Sequence, residues 1–318
     1  MSKKIATREA YGEVLVKLGR ENPDVVVLDA DLAKSTKTYD FSKHFPERFF
    51  NMGIAEQNMM GTAAGLAAAG KIPFCSTFAV FATGRAYEQI RNSIAYSGLN
   101  VKIAATHAGI TVGEDGGSHQ SVEDIGLMRG IPGMTVLAPA DAASTDSLVR
   151  AASAMKGPVY IRLGRSGVPA VYEAGVELVP GRASVLREGI DATIIATGIM
   201  VAAALEASDL LAGEGLRVGV IDMFSIKPLD KDAVVAAAQN TGAIVTAEEH
   251  SIIGGLGSAV AEVLAENYPA PMKRLGIPDV FGESGTPAQL LEKCSLTPPC
   301  LAGAVKEVMA WKKAHSES

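Results

Sequence analysis

The amino-acid sequence predicts an α/β fold built on mainly parallel sheets. Three observations carry that reading. Short, continuous apolar runs of strand length recur along the chain, and segments with helical spacing of apolar residues separate them. A strand that is apolar at every position is covered on both faces, as parallel strands flanked by helices are. The rhythm breaks at 164–190, where Gly164, Gly167, Pro169, Gly175, Pro180, Gly181 and Gly189 cluster, and it resumes beyond. That stretch reads as a connector with a hairpin, followed by a second, smaller α/β unit.

Taken in order, residues 7–18 have helical spacing, and Asp24-Val-Val-Val-Leu-Asp29 is a continuous apolar strand. A helix over 55–69 leads to a strand at 72–76, and a helix over 82–95 leads to a strand at 101–106. Residues 121–128 look helical and 134–137 extended. Residues 141–154 are helical, with Asp141 placed to accept an orphan backbone N–H as N-cap. A strand at 158–162 closes the first series. In the second unit the strands are 192–197, 217–222 and 243–247, with helices at about 201–213, 230–240 and 257–267.

At 318 residues the chain is long enough for about two domains. Its 48% hydrophobic and 20% charged residues are those of a globular protein with a sizeable core. A net charge of −6, without any Lys/Arg-rich run, argues against nucleic acid as a partner. Cys75, Cys294 and Cys300 lack CxxC spacing, which points to neither a disulfide framework nor a zinc ribbon and fits a reducing compartment. The N-terminus lacks the apolar core of a signal peptide. Residues 59–84 are apolar, but Lys71 and Pro73 interrupt them, so two packed elements explain them better than a membrane span. The expectation is a cytoplasmic protein with no membrane contact.

The segment Gly53-Ile-Ala-Glu-Gln-Asn58 sets a lone acidic side chain before Met59-Met-Gly-Thr-Ala-Ala-Gly-Leu-Ala-Ala-Ala-Gly70, which is charge-free on every face. A helix that is apolar or small all round is a buried helix, so Glu56 stands at the mouth of a dry place. A buried carboxylate left unpaired costs several kcal/mol, so it finds a cation or stays protonated. A protonated buried Glu can donate to a ring nitrogen. The bland alternative keeps Glu56 at the surface, favoured only by the helix dipole.

In open α/β sheets ligands lie beyond the carboxyl ends of the strands. The polar residues there are Asp31 and Ser35, then the segment 106–120, then Arg165. Segment 106–120 holds His107 and His119, two of only five histidines, with Glu114, Asp115 and four glycines. Glycines let a backbone approach a ligand, and histidines move protons near neutral pH; an ordinary solvated loop is the alternative. Phe78 and Phe81 follow the strand after the Glu56 helix, as core packing or as an aromatic wall for a flat ligand. A metal site is not expected, because His107 and His119 lack the spacing of a helical pair. No Gly-x-Ser-x-Gly elbow supports a hydrolase. Ile253-Gly-Gly-Leu-Gly-Ser258 lacks the third glycine of a dinucleotide fingerprint, and close packing accounts for it better.

Four ordered motifs now identify a family. Gly53-Ile-Ala-Glu56-Gln57, Thr77-Phe-x-x-Phe81, Gly113-Glu-Asp-Gly-x-Ser-His-Gln120 and Glu248-Glu-His-x-x-x-Gly-Gly-x-Gly257 resemble the C-terminal half of transketolase and its cousin deoxyxylulose phosphate synthase, over essentially the whole chain. The resemblance implies two three-layer α/β/α domains. Residues 1–185 would be the pyrimidine-binding domain of a thiamine diphosphate enzyme, and 186–318 the transketolase C-terminal domain, mostly structural in role. Glu56 would bind the aminopyrimidine nitrogen of thiamine diphosphate and drive its activation. Phe78 and Phe81 would pack on the pyrimidine, with Asp31 also on the cofactor side. His107, Asp115 and His119 would contact the sugar, with His107 and His119 sharing the catalytic work. Arg8, Ser35 and Arg165 resemble the residues that hold the substrate phosphate.

Two departures from the family pattern matter. Gly84 stands where transketolases usually carry a third pocket aromatic. The Gly-Asp-Gly…Asn pattern that holds the diphosphate and its divalent cation is missing, Glu114-Asp-Gly-Gly117 being the nearest approach. The resemblance therefore implies one subunit of a split transketolase. A separate N-terminal subunit would hold the diphosphate and Mg2+, in an α2β2 assembly that moves a two-carbon ketol unit between sugar phosphates. The enzymatic alternative is a synthase-like or 2-oxoacid dehydrogenase beta-type subunit. His107 favours transketolase and Ala108-Gly-Ile110 leans toward the synthase. A regulatory paralogue that only binds a partner is the non-enzymatic alternative, against which the retained Glu56, His107, Asp115 and His119 count.

Overall fold

The structure is a computed structural model and describes residues 4–316. Seven strands form the first sheet, in the order Ser225–Lys227, Thr135–Leu137, Val159–Arg162, Lys102–Thr106, Ile72–Phe78, Val25–Asp29 and Phe49–Asn51. Every pairing is parallel except that of the edge strand Ser225–Lys227. Alternate residues of one apolar strand feed two cores. Val25 and Val27 join the helices Thr7–Glu21 and Ala142–Ala154 on one face, whereas Val26 and Leu28 join Met59, Met60 and Ala63 of the helix Glu56–Ala68 on the other. This two-residue period between covered faces is why the strand is apolar from Val25 to Leu28.

The second sheet runs Met272–Ile277, Ile244–Ser251, Ala192–Ala196, Val218–Asp222 and Ser184–Arg187, with only the last antiparallel. Ile194 packs toward the helices Met200–Ala212 and Pro298–Ser316, and Ile195 toward Lys231–Thr241 and Leu256–Asn267. Both units are therefore three-layer α/β/α sandwiches. Asp141 caps its helix as expected, accepting from the Ser144 N–H at 2.8 Å.

The structure departs from the expectations in four places. Stretch 164–190 holds no hairpin: Gly167–Val168 pairs with Ile5–Ala6, and Ser184–Arg187 becomes the edge of the second sheet. Strand Ser225–Lys227 comes from the second unit but joins the first sheet, so the two units share a strand. Residues 81–95 form two wide π-type turns, Phe81–Arg85 and Gln89–Ala95, rather than one regular helix. Helix Glu56–Ala68 buries Glu56, Met59, Met60, Ala63 and Ala64, while Gln57, Gly61 and Gly65 face outward. Small residues have little apolar area to hide, so freedom from charge did not mean burial all round. Among the described residues no helix is long and apolar enough to cross a membrane.

Candidate active site

The carboxyl ends of the parallel strands carry the loops that matter. Phe78 lies opposite Thr106 and Asp29 opposite Ser76, so neighbouring strands finish close together. Glu56, the first residue of its helix, is 1% exposed. Its Oε2 accepts from Arg85 Nη1 at 2.9 Å. The carboxylate is thus buried and has found a cation, as a desolvated charge requires. Arg85 is half exposed and lies 4.7 Å from the centroid of the Phe81 ring, so its charge also meets an aromatic face.

The rings form a continuous cluster. Phe78 and Phe81 are 5.8 Å apart and nearly parallel at 10°. His107 stacks on Phe78 at 3.7 Å, and His119 meets both phenyl rings edge-on. Phe78 is buried, whereas Phe81 is partly open. Gly84 is exposed, with nothing within 4 Å of where a side chain would begin, so the wall is open at that position.

His107 is buried and its φ of 57° is left-handed, a conformation that costs a non-glycine residue roughly 1–2 kcal/mol. Its partners hold it there. Arg8 Nη1 donates to His107 Nε2 at 3.1 Å, and Thr106 Oγ1 sits 2.9 Å from Nδ1. A guanidinium can only donate, so Nε2 accepts and the ring proton belongs on Nδ1, facing Thr106. Burial, reinforced by Arg8, Arg165 and His119, pushes the imidazole down to about 3. His107 is neutral across the physiological range.

Arg8 also donates to the Ser35 carbonyl at 2.8 Å, and its Nε is buried with no partner. Burial and the nearby Arg165 lower its basicity. Arg165 donates to the Val112 carbonyl and pairs with Asp115 at 3.3 Å. Two guanidinium groups near a neutral imidazole make an anion-attracting face beside the aromatic cluster.

Contacts therefore link Glu56, Arg85, Phe81, Phe78, His107 and Arg8 in series, with His119 on the ring edges and Arg165–Asp115 alongside. Ser35 enters through its carbonyl. Asp31 stands apart from this series: it is exposed and accepts from Asn51 Nδ2 at 3.0 Å. Sequence reasoning missed Arg85, the partner of Glu56, although it follows Phe81 by four residues and is the first charge after Lys71. It also missed the contact of Thr106 Oγ1 with His107 Nδ1, the ring nitrogen left to carry the proton by the Arg8 contact.

Family models match the chain as the transketolase pyrimidine binding domain over residues 3–170 and the transketolase C-terminal domain over residues 181–300. The chain belongs to the transketolase family. It is 50% identical to a putative transketolase C-terminal section of Methanocaldococcus jannaschii, over 95% of this chain and 96% of that one. It is 47% identical to the 6-deoxy-6-sulfo-D-fructose transketolase subunit SqwH of a Clostridium species, over 95% and 94%. A solved structure described as "Split gene transketolase, inactive beta4 tetramer" matches with a TM-score of 0.90 and 60% identity, covering 98% of this chain and 100% of that one.

Transketolase membership implies thiamine diphosphate as cofactor, and the residues present suit its heterocycle. A buried carboxyl group, joined through Arg85 to a partly open phenyl ring, supplies an acceptor for a ring nitrogen's proton, and the phenyl ring supplies a flat wall. Among the described residues, no group of three or more His, Cys, Asp or Glu could hold a metal ion.

Proposed function

We propose that this chain is the C-terminal subunit of a split, thiamine diphosphate-dependent transketolase. It moves a two-carbon ketol unit from a ketose phosphate to an aldose phosphate. A separate N-terminal chain contributes the diphosphate and Mg2+ site, in an α2β2 assembly in the cytoplasm. The observation that carries the reading is the buried Glu56 carboxyl, joined through Arg85 to the aromatic cluster whose other end meets Arg8 at His107. The relatives described as a transketolase section and a transketolase subunit support the split arrangement.

When bound, the cofactor supplies a carbanion nucleophile able to take up the ketol unit. Glu56 would hydrogen-bond the aminopyrimidine nitrogen through Oε1, or through Oε2 if Arg85 gives up its contact there. Half exposure lets the Arg85 head group swing into solvent. Phe78 and Phe81 would wall the pyrimidine ring and exclude water from it. Arg8 and Arg165, with Ser35, draw in the sugar phosphate and fix its end. Asp115 and His119 hydrogen-bond the sugar hydroxyls. Neutral His107 would offer a ring nitrogen to the sugar only by releasing its contact with Arg8 or with Thr106.

Co-assembly with the N-terminal subunit tests the reading. Wild-type complex should transfer ketol units between phosphorylated sugars. Glu56→Gln should assemble equally well by analytical ultracentrifugation but lose at least about 100-fold in turnover, as loss of a general acid–base group does. Turnover of that variant at wild-type rates would remove Glu56 from the mechanism.

A further inference from the structure

Loop 107–121, which carries three of the proposed sugar contacts, is held by the second domain. The Thr111 N–H donates to Glu249 Oε1 at 2.6 Å, a contact between residues 138 positions apart. Gly109, at φ +80°, lies so close that a Cβ there would fall on the Glu249 carboxylate. Farther along the loop, Gln120 Nε2 donates to the Ile110 and Gly113 carbonyls and to the Glu283 carbonyl of the second domain. A Cβ on Gly117 would likewise meet the Gly282 carbonyl. The glycines are small here because another domain's backbone and side chains occupy the space.

Glu249 is itself anchored. Its carbonyl accepts from Arg162 Nη2 at 2.7 Å, and Arg162 holds Asp124 through two hydrogen bonds of 2.8 and 3.2 Å. Its neighbours are committed elsewhere. Glu248 accepts from the Leu256 and Gly257 N–H groups at the start of the helix Leu256–Asn267, and His250 accepts from the Gly126 N–H. Only Glu249 sends its carboxyl into the loop. Thr111 is then gripped from both sides, because its carbonyl accepts from Ser166 Oγ at 3.0 Å. The next carbonyl, that of Val112, accepts from Arg165, which also pairs with Asp115.

We propose that Glu249 is a positioning residue: reaching across the domain boundary, it fixes the Thr111–Val112 backbone and through it the Arg165–Asp115 pair at the sugar-phosphate site. The C-terminal domain thereby acts on substrate recognition instead of serving as scaffold alone. Assignment of the site to sugar phosphate rests on the function proposed above; the grip on the loop does not. Burial pushes the Glu249 carboxyl up to about 7, so a neutral oxygen acceptor serves as well as a charged one. That makes glutamine the conservative replacement and methionine the disruptive one.

The test compares Glu249→Gln with Glu249→Met, which keeps the volume but removes the acceptor. In the full chain, hydrogen–deuterium exchange at residues 109–116 should quicken at least tenfold in the methionine variant and stay near wild type in the glutamine variant. In the complex with the N-terminal subunit, the methionine variant should raise KM for phosphorylated sugars about tenfold with kcat within about twofold, and glutamine should restore it. If Glu249→Met fails to fold, Glu249→Asp, which withdraws the oxygen by one methylene, replaces it with the same expectations. Equal exchange and equal KM in the disruptive and glutamine variants would overturn the proposal. If the wild-type complex transfers no ketol unit, the proposed function fails, while the exchange measurement still decides what Glu249 does.

Discussion

Two carboxylates in the first domain are equally buried and both are paired with arginine, yet the two pairs are built differently. Asp124 meets Arg162 through two hydrogen bonds, with Arg162 only 8% exposed and Tyr160 adding a third bond at 2.7 Å. Burial pushes the Asp124 carboxyl up, and Arg162 and His250 more than reverse it, so it stays below its ordinary range. Glu56 meets Arg85 through a single contact, with the arginine at the water's edge. The first pair is a fixed joint between the two domains, since Arg162 also holds the Glu249 carbonyl. The second is releasable, which suits the proposed role of Glu56 at a cofactor ring. Geometry around a buried charge, rather than burial itself, separates a structural pair from a working one.

Removing each arginine breaks or sharpens that contrast. Arg162→Met leaves Asp124 buried and uncompensated and should cost about 3–5 kcal/mol of unfolding free energy. Arg85→Met should cost only about 1 kcal/mol, because water can reach the carboxyl once the exposed head group is gone. Urea denaturation of the two variants measures both, and equal losses would erase the distinction.

The contrast was only half legible in the sequence. Fully apolar runs announced strands such as Val25–Asp29, because covering on both faces leaves a direct compositional trace. The density of histidine and glycine after the strand Lys102–Thr106 announced an irregular loop at the carboxyl end of the sheet, because glycines supply its positive-φ positions. Pairings made by tertiary folding left no such trace. Arg85 is 29 residues from Glu56, and Glu249 is farther still from Thr111. Ser225–Lys227 is three residues long, too short for a two-residue period to register, and its partner strand lies in the other unit. The open face of Gly61 and Gly65 was hidden by the same absence of charge that marks a buried helix.

A smaller effect should appear with pH at Asp222, a third buried carboxyl with no cation beside it. It accepts from Tyr172 Oη at 2.7 Å, its other oxygen has no partner, and burial pushes it up to about 8. The folded state therefore favours the protonated form. The stability so gained is full below the ordinary carboxyl range, near pH 4, and is lost as pH rises through about 8. Asp222→Asn removes that titration. Its melting temperature should gain on wild type steadily between about pH 5 and 8 and level off above, as followed by calorimetry, and a constant difference from pH 5 to 8 would show Asp222 ionised throughout.

The central claim is that Glu56 belongs to a cofactor site which this chain supplies only in part. Isothermal titration with thiamine diphosphate and Mg2+ tests it most directly, run on the chain alone, on its complex with the N-terminal subunit, and on that complex carrying Glu56→Gln. The chain alone should bind at least about 100-fold more weakly than the complex, a difference of about 2.7 kcal/mol, and the variant complex should bind detectably more weakly than wild type. Equally tight binding by the isolated chain would contradict the account.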